Sequence, residues 1–401
     1  MKSLDAARTF GRFLGTGLSL SRDIAESSLR GFPQETSDIT APWLSRALGN
    51  RFPNVRVRAI EILDSHSGTT SRARVRLDYE ETGGHTSLPE TLFLKITPRA
   101  LPQRFFMALN GTGRSEANFY RGVRADVPVR APGVYGVEDQ GPGRQFVLLL
   151  EDLAAGTARF TRVGERASLE DAQSVMGELA RLHAAFWESP RFETDLSWVP
   201  TYESRRRDRS WERFVTGAMI RRAERGFAEE FGPEFRKIAA TCRDGRDRLE
   251  QLWNQGPRTL AHGDCHIGNL FFEDGRAGFL DWQVCGCSPG MRDVSYFLCN
   301  SFPTQLRRQH EHELVRLYLD NLEEAGIKGH DFETAWRQHR LFALYTWIAA
   351  AFTAAAGEGL QPRAVGLAGL ARATTAAEEL ESLACVDEGR SSQGAAEPIS
   401  P

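Results

Sequence analysis

Lysine is scarce in this sequence. The 50 basic residues include only Lys2, Lys95, Lys237 and Lys328, the rest being arginine, so a lysine inside an apolar strand stands out. Cysteine is also sparse: Cys242, Cys265, Cys285, Cys287, Cys299 and Cys385 form no Cys-x-x-Cys pair. That excludes zinc sites built from ligand pairs at turn spacing, and the thiols read as reduced ones in a cytoplasmic protein. No charge sign dominates. Against the 50 basic residues stand 53 acidic ones, a net charge of -3, which gives no global field for nucleic acid. Long apolar runs are missing. Leu341 to Ala356 is the most apolar stretch, but it carries Tyr345, Thr346, Trp347 and Thr353 and falls short of the ~20 residues of a membrane span; it reads as a buried helix. Gly11, Arg12 and Gly15 break the N-terminal apolar stretch, so no signal peptide is expected. Gly-x4-Gly-Lys-Ser/Thr is absent, and Gly15-Thr-Gly17 and Gly111-Thr-Gly113 lack the third glycine of the dinucleotide fingerprint.

What is present has the balance of an ordinary globular chain, 41% hydrophobic and 26% charged. A length of 401 residues suggests two or three units at roughly 150 residues each. Residues 1–35 read as a helical arm, with Phe10, Phe13, Leu14 and Leu18 at helical spacing. Thr40 before Ala41-Pro42 is a helix start. Three strands follow at Val55–Leu63, Ser71–Tyr79 and Thr91–Thr97, then a helix over Arg114–Val123 and a buried strand at Phe146–Glu151. From Ser168 the pattern is helical, over Leu179–Trp187, Phe235–Trp253, Gln309–Ala325, Ala335–Ala355 and Leu367–Leu383. One extended region, Thr259 to Val284, interrupts it as strand, loop, strand, turn, strand. The fold class is therefore α+β. Residues 36–150 form a sheet-rich N-terminal lobe, 151–385 a larger helical lobe, and 386–401 a disordered tail.

The chemistry concentrates in Leu260-Ala-His-Gly-Asp-Cys-His-Ile-Gly-Asn, followed by Phe279-Leu-Asp-Trp-Gln. The form is His-x-Asp-x4-Asn, an apolar strand, then Asp. Asp264 sits on a loop opened by Gly263, where a carboxylate can reach an acceptor hydroxyl. Asn269 returns to the same pocket, and Asp281 projects from the end of a buried strand. Asn269 and Asp281 supply hard oxygen ligands suited to Mg2+ held jointly with nucleotide phosphates. The order and spacing follow the catalytic-loop logic of kinases.

This segment resembles the catalytic loop of the aminoglycoside phosphotransferase and choline kinase superfamily, and more narrowly its ecdysteroid kinase-like branch. The resemblance implies a bilobal protein-kinase-like fold and extends along nearly the whole chain. It makes Asp264 the catalytic base, with Asn269 and Asp281 on Mg2+. Lys95 in Leu-Phe-Leu-Lys-Ile falls at the phosphate-binding lysine, and Glu116 at its helix partner. Leu148-Leu-Leu-Glu-Asp-Leu resembles the hinge between lobes, so Glu151 and Leu153 would meet adenine through their backbone. Ser67, Gly68, Thr69 and Thr70 would cover the ATP phosphates, although this loop has one glycine where protein kinases have three. His262 would buttress the catalytic loop. Asp293 would tie the loop to the next helix, and His266 would pack the loop or touch phosphate.

Three other readings compete. Gly286-Cys-Ser288-Pro-Gly fits a hydrolase elbow, but Pro289 has no N–H to give an oxyanion hole. A nucleotide-binding pseudokinase module would lack a base or metal ligand, and Lys95, Glu116, Asp264, Asn269 and Asp281 are all present. The third is a true aminoglycoside phosphotransferase. Arg205, Arg206, Arg207, Arg209, Arg213, Arg221, Arg222 and Arg225 would border the acceptor site and repel polycations. Trp187, Trp198, Trp211 and Trp347 would line an apolar pocket; equally, the arginines are a solvated helix face and the tryptophans core. The expected acceptor is an uncharged or anionic hydroxylated small molecule. No nucleic-acid partner is expected, and no oligomeric state is readable.

Overall fold

The computed structural model describes residues 2–68, 70–80, 88–140, 145–161, 165–201, 204, 210–357 and 361–394. The chain divides into two compact units, residues 1–158 with 279–284 and residues 159–278 with 285–401. The first unit reaches beyond residue 150 because Arg74 hydrogen-bonds the Asp152 carboxylate (2.9 Å), holding the next turn against the sheet. Residues 279–284 join it through the Phe279 N–H, which donates to the Arg130 carbonyl (2.8 Å).

In the first unit, β1 (Val57–Ser67), β2 (Ser71–Tyr79), β3 (Thr91–Ile96), β4 (Val134–Gln140) and β5 (Gln145–Glu151) form an antiparallel sheet in the order β1-β2-β3-β5-β4. β4 and the helix α3 (Leu101–Asn110) are the elements here that periodicity did not reveal; β4 is short and polar (Val-Tyr-Gly-Val-Glu-Asp-Gln). The helices α1 (Lys2–Arg30), α2 (Ala41–Gly49), α3 and α4 (Thr112–Gly122) complete the unit. α2 begins as its sequence predicts: the Thr40 hydroxyl accepts from the Trp43 N–H (3.4 Å), and Pro42 needs no donor in the first turn. Alternation along β2 sends Ala73, Val75 and Leu77 into a core with Leu44, Leu48, Leu92, Leu94, Ile96 and Leu149. The opposite face of the same strand carries Arg72, Arg74 and Arg76. The arm α1 packs on α3 through stacked Phe13 and Phe105 (centroids 5.6 Å).

The second unit is mostly helical. It holds α5 (Leu169–Ala185), α6 (Ser210–Asp244), α7 (Arg246–Trp253), α8 (Met291–Asn300), α9 (Thr304–Glu324), α10 (Phe332–Ala356), α11 (Arg363–Glu379) and α12 (Ser382–Gly394). α6 is two helices joined at Gly232 (φ +84) and Pro233, since proline removes a helical hydrogen bond and Gly tolerates the left-handed turn. α10 lies at the centre with Leu341, Phe342, Leu344 and Trp347 buried. α12 extends into the segment expected to be a disordered tail, and only 395–401 lie outside the described residues. Cys385 in its first turn is fully buried, which anchors the helix. Two small sheets, β7 (Thr259–Ala261) with β10 (Gly286–Ser288), and β6 (Arg159–Phe160), β8 (Leu270–Glu273) and β9 (Arg276–Phe279), frame the catalytic-loop segment. Among the described residues no helix is long and apolar enough to cross a membrane. All six cysteines are buried.

Candidate active site

The first cluster lies on the sheet face opposite the core of the first unit. β2 and β3 pair with Arg72 opposite Lys95, so the two side chains stand side by side on one face. Lys95 Nζ donates to Glu116 Oε1 (2.8 Å) and to Asp281 Oδ1 (3.0 Å). Arg72 donates to Asp281 Oδ2 (3.4 Å) and to the Thr70 hydroxyl (3.1 Å). Lys95 and Glu116 are almost wholly buried, at 4% and 1% side-chain exposure, while Asp281 keeps 15%. A buried lysine is costly without a partner, and two carboxylates supply that need. Burial pushes the Glu116 pKa up, opposed chiefly by Lys95. Burial also acts to raise that of Asp281, but Lys95, Arg72 and a hydrogen bond from Gln283 outweigh it and hold this carboxyl at about 2.

Asp281 is one of the few non-glycine residues in the left-handed region, at φ +63. The next side chain shows why the turn persists. Trp282 is fully buried and stacks on Phe119 of α4 (centroids 4.0 Å, planes 7° apart). That stack fixes the turn while the aspartate is aimed at Lys95. Such strained conformations survive where packing over-determines them, and they cluster at functional sites.

The second cluster, within the helical unit, is built around the loop between β7 and β8. Asn269 donates its amide to Asp264 Oδ2 (3.1 Å) and to the Asp264 carbonyl (2.9 Å). Its NH2 is thus committed, leaving Oδ1 as the acceptor. Asp264 N–H donates to His262 Nδ1 (3.3 Å), so His262 buttresses the loop. His266 accepts the Gly268 N–H at Nδ1 (3.0 Å), a loop-packing role. Asp293 on α8 accepts from the N–H groups of His262 (2.6 Å) and Gly263 (2.9 Å) and meets His183 Nε2 (3.3 Å); His183 in turn meets the Tyr318 hydroxyl (2.9 Å). Gly263 needs to be glycine, since its φ is +87. Burial would raise the Asp293 pKa, but His183, His262 and Arg292 hold it below the ordinary carboxylate range. This buried anion clamps the loop to α8.

Tyr296, four residues after Arg292 on α8, interacts electrostatically with the Asp264 carboxylate. Burial, and then Asp264 itself, push its phenol well above the ordinary tyrosine range, so it stays a donor. Its ring lies 6.0 Å from that of Tyr345 on α10.

The remaining candidates divide. Gly68 sits in the tight connection between β1 and β2, where Ser67 pairs with Ser71. Its N–H is committed to the Thr70 carbonyl (3.1 Å). Thr69, and the side chain of Ser67, lie outside the described residues. Glu151 holds Arg130 (2.6 Å) and the Gly133 N–H (2.8 Å) with its carboxylate, and its own N–H donates to the Gly133 carbonyl (2.8 Å). That N–H is therefore not available to adenine. Leu153, which is buried, opens the short turn after it.

The arginine-rich stretch is only partly among the described residues. Arg205, Arg206, Arg207 and Arg209 lie outside the described residues. Arg213 is paired with Asp247 and Glu250, while Arg221, Arg222 and Arg225 are exposed along α6. Trp347 is core, with its indole N–H on the Thr374 hydroxyl (3.1 Å), and Trp211 is buried. Trp187 and Trp198 are half-buried. Ser288 is buried, its hydroxyl directed at the Pro289 carbonyl (3.3 Å), and serves no hydrolase elbow.

Sequence reasoning missed Arg72, Tyr296 and Arg292. Arg72 was within reach, since a three-residue connection and a second hairpin place it beside Lys95. Tyr296 and Arg292 are joined to Asp264 and Tyr345 only by tertiary packing.

Residues 69–328 match the ecdysteroid kinase-like family. A 95-residue stretch is 25% identical to methylthioribose kinase of Bacillus pumilus (strain SAFR-032), covering 24% of each chain, so the match spans about a quarter of that relative. Among solved structures, a protein from Ralstonia eutropha JMP134 assigned as an aminoglycoside phosphotransferase superposes with a TM-score of 0.50 at 15% identity, over 85% of this chain and 97% of that one. Plasmodium vivax ethanolamine kinase gives a TM-score of 0.48 at 13% identity, over 79% and 81%. The fold is that of the kinase-like structures of this superfamily.

Proposed function

The chain belongs to the ecdysteroid kinase-like family, and we propose that it is an ATP-dependent small-molecule kinase that phosphorylates a hydroxyl of an uncharged or anionic acceptor. The observation that carries this reading is the buried Lys95 held between Glu116 and Asp281, with Asp281 kept ionised in a left-handed turn. A purely structural ion pair needs neither a second carboxylate nor that strain. Lys95 holds the nucleotide's phosphates, and Glu116 fixes its direction. Arg72 adds a second cation at the same carboxylate. Adenine recognition falls to the backbone from Asp152 to Leu153, since the N–H of Glu151 is already bonded.

The residues present fit Mg2+. Asp281 is a hard, ionised oxygen donor, and Asn269 retains its amide oxygen after its NH2 is bonded to Asp264. Among the described residues no group of three or more His, Cys, Asp or Glu could hold a metal alone, which suits an ion bound by one or two side chains together with phosphates. The ion would neutralise charge developing on the transferred group.

Asp264 orients the acceptor hydroxyl and takes its proton as the new O–P bond forms. The bond from the γ-phosphorus to the bridging oxygen breaks, and ADP leaves with that electron pair. Asn269 holds the carboxylate for this. Most of the rate gain comes from such positioning and preorganised charge.

The test is ATP consumption with Mg2+ on a pooled library of hydroxylated metabolites, sterols and antibiotics, with Asp264→Ala in parallel. A hit that loses at least ~100-fold of its turnover in the variant, as loss of one preorganised charge does, supports the assignment. Nucleotide binding with no turnover on any acceptor favours a pseudokinase module. Efficient use of kanamycin-type polycations contradicts the acceptor class.

A further inference from the structure

Arg292 lies in the first turn of α8, on the face that also carries Tyr296. It is 6% exposed. Its guanidinium donates from Nη2 to the Tyr345 hydroxyl (2.5 Å) and sits over the Tyr345 ring at 4.6 Å. Its Nε is buried with no hydrogen-bond partner. No carboxylate among the described residues forms an ion pair with it. The adjacent Asp293 attracts it through space but takes its hydrogen bonds from His262, Gly263 and His183.

Two other buried cations are ion-paired, Lys95 with Glu116 and Asp281 and Arg307 with Glu311 and Glu379. Buried Arg104, far from the catalytic loop in sequence, bonds the neutral amide of Gln34 and also leaves its Nε unpartnered. A buried guanidinium whose fork is left open is costly unless an anion completes it, and that fork matches the planar geometry of an oxyanion. The position is also specific. Tyr296, one turn along the same helix, interacts electrostatically with the carboxylate of Asp264, and Tyr345 touches both Arg292 and Tyr296. Base, two phenol rings and a guanidinium with an unpartnered Nε are therefore neighbours in one run of side chains.

We infer that Arg292 is the acceptor-recognition residue, and that the acceptor is a hydroxylated small molecule carrying an oxyanion, a carboxylate or a phosphate ester. The inference rests on the kinase reading and narrows it. The hydroxyl goes to Asp264, the oxyanion to Arg292, and the body of the molecule lies along Tyr296 and Tyr345. The charge discrimination sought in the arginine-rich stretch falls instead to one buried arginine, which rejects cationic groups at its own position and favours anionic ones.

The experiment uses the full chain with Mg2+ and ATP on matched pairs: hydroxy-carboxylates against their methyl esters, and phosphorylated polyols against the free polyols. The carboxylate and phosphate arms separate the two sources of the oxyanion. The expected result is turnover of anionic members and little of their neutral partners. Arg292→Met should raise KM for the anionic acceptor about tenfold to hundredfold, the loss expected for one charged hydrogen-bonding partner, with KM for ATP unchanged. Arg292→Lys, which keeps the charge but not the fork, should recover part of the loss. A structural arginine would not move the anionic-to-neutral ratio. Equal use of both members of each pair overturns the inference, and this comparison needs no variant to fold. If nothing turns over, thermal shifts with the same pairs are read at saturating Mg2+ and a non-hydrolysable ATP analogue; the absence of an anion-dependent shift overturns it. Failure to bind the nucleotide analogue at all falls on the kinase reading itself.

Discussion

Lys95→Met removes the one cation shared by two carboxylates, and the outcome can be worked out from their surroundings. Asp281 keeps Arg72 at 3.4 Å and is 15% exposed, so water and a second cation still serve it. Glu116 keeps nothing equivalent. Its side chain is 1% exposed, and its ion pair is with Lys95. Breaking a buried pair by removing one partner typically costs about 3–5 kcal/mol, and most of that cost falls on Glu116. The pH dependence has a definite sign. Burial already raises the Glu116 pKa above its ordinary 4.5, with Lys95 as the chief opposing influence. Without Lys95 the folded-state value rises further, so the deficit of the variant is absent below about 4.5 and grows as pH climbs toward the folded-state value. Urea denaturation of wild type and Lys95→Met at several pH values from 4 to 8, about that range, measures this. The double variant Lys95→Met/Glu116→Met removes the stranded acid as well. It should recover most of the stability while remaining inactive, because the phosphate-binding cation is still missing. A single variant costing under about 1 kcal/mol, or a double variant less stable than the single one, would refute the reasoning, since a truly stranded buried charge cannot be that cheap.

Other expectations follow from the same geometry. Asp281→Asn should lose at least ~100-fold of turnover and flatten acid unfolding. A carboxyl held at about 2 against an ordinary 3.8 contributes about 2 kcal/mol. That stability is present above the ordinary value and lost as pH falls through the folded one, so the wild-type advantage should shrink between about pH 4 and pH 2 in denaturation curves. Tyr296→Phe removes the phenol hydroxyl that interacts electrostatically with Asp264 and should lower kcat by up to roughly tenfold, the upper worth of one polar interaction with a charge, with KM for ATP unchanged in steady-state assays; an unaltered kcat would count against a positioning role. Gly290→Ala would place a methyl 2.6 Å from His183 Nδ1 and closer still to the Tyr318 hydroxyl. It should cost about 1–3 kcal/mol by overpacking, read as a lower denaturation midpoint, and should disturb the His183–Asp293 clamp on the catalytic loop.

What the sequence determined by itself is local. The connection between β1 and β2, the strand that carries Lys95, and the spacing from Asp264 to Asn269 all lie within a few residues. There, side-chain alternation, turn chemistry and the reach of one loop are legible without a partner. The helices of the second unit were legible for the same reason, their apolar periodicity being local. α3 and β4 were not, because neither carries a clean period. The helix over Ser382–Gly394 was hidden by a polar composition that a single buried Cys385 offsets. Tertiary structure alone decided the electrostatics. It placed Arg72 beside Lys95, stacked Trp282 on Phe119 to hold Asp281 at φ +63, paired Arg213 with Asp247 and Glu250, and left the guanidinium of Arg292 open. Charge acts through space and in proportion to burial. A residue's neighbours across a sheet or between helices therefore decide whether it is neutralised, strained or available, and no spacing along the chain records that.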